Sequence, residues 1–164
     1  MRIPWPGVAA GLAVAALGTT GLVRGSMPQS SGTAAGPSSA NPIVVTGAFV
    51  RPPLPPSQNA AVYFTVYNTT GQPDRLQAVT AAIGTDAVLH TSGMAADPNG
   101  VVIPAKGHLS LSVGHGHVMI EGVTARLRAG EQVNIELDFE NAGPVDVTAP
   151  VVPLGSPTPS GAPS

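Results

Sequence analysis

Gln132-Val133-Asn134-Ile135-Glu136-Leu137-Asp138-Phe139-Glu140 alternates polar and apolar residues without interruption. In an extended chain, Val133, Ile135, Leu137 and Phe139 fall on one side and the polar residues on the other. A period of two predicts a strand with one buried and one wet face, as in an antiparallel sheet. The same reading extends outward. In Ala61-Val62-Tyr63-Phe64-Thr65-Val66-Tyr67, the residues Val62, Phe64 and Val66 share a face. Leu109, Leu111 and Val113 alternate with Ser110 and Ser112. Weaker strand candidates cover 43–50, 75–80, 87–90, 101–103, 117–122 and 145–151. Turn formers separate them: Asn68-Thr69-Thr70-Gly71, Asp97-Pro98-Asn99-Gly100, Ala129-Gly130 and Ala142-Gly143-Pro144. Eight or nine short strands predict an all-β sandwich or small barrel. Arg51-Pro52-Pro53-Leu54-Pro55-Pro56 removes ladder donors and predicts an extended loop after the first strand.

The chain has 164 residues, enough for one such domain and flanking segments. Only 10% of residues are charged and the net charge is −2, so no basic surface for nucleic acid exists. Cysteine is absent. That excludes thiolate zinc sites, iron–sulfur clusters, blue-copper centres, disulfides and lipid attachment through cysteine. An apolar run over 7–23 lies between Arg2 and Arg24. It predicts an export signal or an uncleaved membrane anchor over 1–24. Either one puts the domain outside the cytoplasm, secreted or anchored to the outer face of the cytoplasmic membrane. A Gly/Ser/Pro/Ala linker is expected over 25–42, the folded domain over 43–152, and a disordered tail over 153–164.

The domain contains four histidines (His90, His108, His115, His117) and two methionines, Met94 and Met119. Three of these six fall in Gly114-His115-Gly116-His117-Val118-Met119. If this segment is a strand, His117 and Met119 project from one face, about 7 Å apart, while Val118 and Ile120 supply the core. A second pair is His90 and Met94, in His90-Thr91-Ser92-Gly93-Met94. Two imidazoles and two thioethers suit a soft, closed-shell ion. Thioether sulfur binds Cu(I) well and Zn(II), Mg(II) or Ca(II) poorly. Unlike thiolates, thioethers do not form disulfides outside the cytoplasm. Binding through imidazole is expected to weaken as pH falls below about 6.5.

Other readings compete. Methionine in a strand commonly fills a core. Three histidines (His108, His115, His117) could hold zinc, although alternation with Leu109 and Leu111 puts His108 on the polar face. The carboxylates near the histidines are Asp86, Asp97 and Glu121, and no catalytic triad or carboxylate pair emerges. An envelope-anchored β-sandwich binding module without metal would leave the His/Met set scattered or buried.

The order of motifs resembles the PCu(A)C-type periplasmic copper chaperones from about Ala48 to Val151. The matching pieces are Ala48-Phe49-Val50-Arg51-Pro52-Pro53, Ala60-Ala61-Val62-Tyr63-Phe64-Thr65-Val66-Tyr67-Asn68, Pro73-Asp74-Arg75-Leu76 and Val88-Leu89-His90. They continue with Ile103-Pro104-Ala105-Lys106-Gly107, His117-Val118-Met119-Ile120-Glu121-Gly122-Val123, Leu127-Arg128-Ala129-Gly130-Glu131 and Leu137-Asp138-Phe139-Glu140-Asn141-Ala142-Gly143. The resemblance implies a cupredoxin-like Greek-key β-sandwich without enzymatic activity. It implies Cu(I) ligation by His90, Met94, His117 and Met119. It also implies delivery of copper toward respiratory oxidase copper-centre assembly, to an oxidase subunit or a second chaperone. One departure stands out. The family separates the first His and Met by about ten residues, whereas here only Thr91, Ser92 and Gly93 intervene.

Overall fold

The structure, a computed structural model, describes residues 42–92 and 95–162. The segment expected as signal or anchor (1–24), the linker apart from Pro42, and the site candidate Met94 lie outside the described residues. Among the described residues nine strands form two antiparallel sheets: β1 (Ile43–Arg51), β2 (Ala60–Asn68), β3 (Asp74–Ala81), β4 (Asp86–His90), β5 (Val101–Ile103), β6 (His108–Leu111), β7 (His117–Glu121), β8 (Gln132–Phe139) and β9 (Gly143–Pro150). The first sheet runs β1-β2-β7-β4, with β6 also pairing β2; the second runs β5-β3-β8-β9. The all-β sandwich expected from the period-two pattern is the fold.

Alternation builds the core directly. Val133, Ile135, Leu137 and Phe139 of β8 are buried and their polar neighbours are exposed. From the other sheet come Val62, Phe64 and Val66 of β2 and Val118 and Ile120 of β7. These side chains, with Leu76, Ile103 and Leu111, belong to one apolar cluster. Each contributes about 1.5–3 kcal/mol on full burial.

One expected position moves. The alternation of Leu109, Leu111 and Val113 places Val113 inward, but it is 54% exposed while Ser112 is buried. The strand stops at Leu111. The amides of His115 and Gly116 both donate to the Ser112 carbonyl, at 3.0 and 3.2 Å, and Gly114 takes a positive φ. That turn rotates Val113 away from the core and sets the start of β7.

Two polar residues of the motif series are structural clamps. Asn68 is buried; its amide donates to the carbonyls of Gln72 and Ile103, and its oxygen accepts from Thr70 N and Oγ1. Asp74 accepts from the backbone amides of Arg75 (2.7 Å), Asn141 (2.9 Å) and Ala142 (3.0 Å). It thereby ties the start of β3 to the turn between β8 and β9. Asp74→Ala would leave amides of that turn without acceptors. It is expected to lower unfolding free energy by about 2–3 kcal/mol in urea titration. A change within experimental error would show that solvent replaces the carboxylate.

Val151 is the last core residue, and 153–162 adds none. That stretch is nevertheless tied to β1. The Arg51 guanidinium donates to the carbonyls of Val152 (3.3 Å), Pro153 and Ser156 (3.0 Å). At the bulge of β1, a side chain on Gly47 would collide with the backbone of Gly161.

Candidate metal centre

β7 lies between β2 and β4. Its alternation sends Val118 and Ile120 to the core and leaves His117 and Met119 half-buried on the outer face. The register with β4 pairs His117 with His90, Val118 with Leu89 and Met119 with Val88. His90 therefore shares the face of His117 and Met119. Directly opposed residues in an antiparallel ladder have Cβ atoms about 5 Å apart. The two imidazoles accordingly stack, with ring centroids 5.1 Å apart and planes inclined by 21°. Gly116 permits this approach. It lies against the carbonyls of His90 and Thr91, where a Cβ would be too close.

His90 is only 3% exposed, and neither ring nitrogen has a hydrogen-bond partner among the described residues. A buried polar atom without a partner costs about 1–3 kcal/mol. Such groups are rare and call for a specific explanation. His117 is more open. Its pKa is pushed below the ordinary imidazole value, first by burial and second by the charge of neighbouring His90. The shift favours the neutral ring, the form that can donate a lone pair to a metal.

On the other flank, β2 pairs Ala61 with Met119. The Met119 Sδ accepts a hydrogen bond from the Asn59 side-chain amide at 3.4 Å. Tyr63 lies 6.2 Å from His117 between ring centroids, and Phe49 stacks on Tyr63 at 5.0 Å. Four rings therefore form a row across β1, β2, β7 and β4.

The loop after β4 is closed at its base. Thr91 donates through N and Oγ1 to Asp97 Oδ2, at 2.7 and 2.8 Å, and Asp97 N donates to the Leu89 carbonyl at 2.8 Å. Met94 lies between Thr91 and Asp97 in the sequence and, as noted, is outside the described residues.

The structure thus brings His90, His117 and Met119 to one face. It does not gather the three histidines of the zinc alternative. His108 is exposed beside Tyr67 in β6, and His115 is exposed with Nδ1 3.4 Å from Ser112 Oγ. Among the described residues no three His, Asp or Glu side chains form a group able to hold a metal. Asp97 is committed to Thr91. Nothing in the sequence alone marks Asn59 and Tyr63 as neighbours of this face. Their signal was the outer-face series Asn59, Ala61, Tyr63, which has meaning only once β2 is known to flank β7.

The family described as "Putative lipoprotein LpqE-like" matches residues 43–151. No curated protein sequence matches. Among solved structures, the copper-bound PCuAC domain from PmoF2 is 26% identical with a TM-score of 0.62, over 67% of this chain and 92% of that one. The Cu(I) form of DR1885 from Deinococcus radiodurans is 33% identical with a TM-score of 0.59, over 70% of this chain and 80% of that one. Apo-DR1885 from the same organism is 30% identical with a TM-score of 0.56, over 82% and 95%.

Proposed function

The chain belongs to the LpqE-like family, and on that premise we propose that it is a carrier of one Cu(I) ion, held as cargo by His90, His117 and Met119 with Met94 as the fourth ligand. The observation that carries the reading is His90, a buried imidazole without a hydrogen-bond partner among the described residues, stacked on a second imidazole beside a thioether. A soft cation is the occupant this donor set suits. The copper-bound PCuAC neighbours support the same ion.

The three described ligands differ in depth, and that grading suits transfer. His90 is the inner anchor. His117 and Met119 are half-buried and can be reached by donors of an approaching protein. Such donors replace them one at a time, so the ion is never without ligands. The acceptor we propose is a copper-accepting protein, an oxidase subunit or a second chaperone, on the route to a respiratory oxidase copper centre. The carrier performs no catalysis in this scheme. We place it outside the cytoplasm, exported or anchored through residues 7–23. The family's description names a lipoprotein, but this sequence has no cysteine to carry a lipid.

The test is a Cu(I) titration of the full chain against a chromophoric competitor, under anaerobic reducing conditions. One equivalent should bind, and His117→Ala should weaken binding at least about tenfold. Absence of saturable binding would end the copper reading. The pH profile refines it. Protons compete with Cu(I) only for imidazoles that can be protonated. Since the His117 pKa is lowered, its share of proton competition should begin below the ordinary value near 6.5, and not at it. The same shift acts on the metal-free fold. The unfolded chain takes up this proton first as pH falls, so the contribution is complete above about 6.5 and is lost below it.

A further inference from the structure

A thioether sulfur has two lone pairs and a flexible arm behind it. In this structure one lone pair of Met119 is engaged by the Asn59 side-chain amide, at 3.4 Å. Asn59 is well placed to hold it. Its backbone N–H donates to Ser57 Oγ at 3.1 Å, and the preceding Gln58 carbonyl accepts from Val123 N at 2.8 Å. The ladder then continues with Ala60 opposite Ile120 and Ala61 opposite Met119. Ala61 is small, so the Met119 arm meets no bulky neighbour on β2 at its own level. We propose that Asn59 is a positioning residue for Met119: its amide occupies one lone pair of Sδ and leaves the other for the ion.

This inference rests on the copper reading and adds two consequences to it. The first is preorganisation. A methionine arm already held in one arrangement loses less freedom when the ion binds. The second concerns the oxidation state. A hydrogen bond draws electron density from the sulfur, which disfavours Cu(II) more than Cu(I). Hydrogen bonds to metal-bound sulfur tune potential in this way in other sites. Asn59 thus favours retention of the reduced ion.

The experiment uses the full chain carrying N59L, which keeps the size of the side chain and removes the donor. In the metal-free protein, the Met119 methyl resonance is expected to shift toward the value of a freely rotating methionine. With Cu(I) added, N59L should weaken binding about tenfold and lower the Cu(II)/Cu(I) potential, with no change in thermal midpoint. In the M119A background, N59L should have no further effect on binding. An unmoved methyl resonance, an unchanged Cu(I) affinity, or an equal loss in the M119A background would each overturn the role of Asn59. If M119A alone leaves Cu(I) binding intact, the copper ligand set itself is wrong. If M119A weakens binding and N59L does not, only the positioning role fails.

Discussion

Exchanging His90 for phenylalanine is expected to abolish Cu(I) binding while making the metal-free protein more stable. The two effects share one cause. His90 is enclosed, and its ring nitrogens have no partner among the described residues. Phenylalanine fills a similar planar space with no polar atoms to desolvate. Replacing a buried unsatisfied group by an apolar one of like shape can recover about 1–3 kcal/mol. The binding loss should exceed about 100-fold, because outer-sphere partners of metal ligands alone are worth 10–100-fold. Thermal melts of the metal-free forms and a competitive Cu(I) titration read the two effects separately. A destabilised variant would mean that the nitrogens support the fold. Wild-type affinity would remove His90 from the ligand set.

The second large effect separates core from site within neighbouring strands. Phe64 is almost fully buried, in the apolar cluster, and its register partner is Leu111 of β6. Phe64→Ala should cost about 3–5 kcal/mol, a large share of a typical domain's 5–15 kcal/mol. Met119→Ala removes a half-buried side chain from the opposite face and should cost less than about 1 kcal/mol. Urea titration of both metal-free variants decides the matter. Comparable losses would identify Met119 as packing material, the alternative that its strand position alone leaves open.

Much of this is legible in the sequence alone. The alternation in 132–140 reads through to β8 because a half-buried strand has a period that nothing else imitates over that length. His117 and Met119 share a face for the same reason. The meeting of His90 with His117 was less accessible. It depends on β4 lying beside β7 in a given register, and strand pairing leaves little trace in local composition. Val113 departs from the expectation because the alternation continues past the point where Gly114 and Gly116 turn the chain. Asn59 and Tyr63 were invisible for a different cause. An asparagine before a strand and a tyrosine within one are unremarkable until the neighbour across the ladder is known. Asn68 and Asp74 belong to the motifs that carry the resemblance, and only their hydrogen bonds show that they serve the frame.

His90, His117 and Met119 stand on strands whose alternate residues, Leu89, Val118 and Ile120, join the core. Frame and proposed metal site thus use the same backbone and different side chains. In a zinc finger the ion is part of what folds the chain, so removing it unfolds the protein. Here the core cluster includes none of the three proposed ligands, so the metal-free chain is expected to stay folded, and a metal-free chain that shows no cooperative thermal unfolding would contradict this. On the copper reading proposed above, one such molecule would then serve many rounds of loading and discharge.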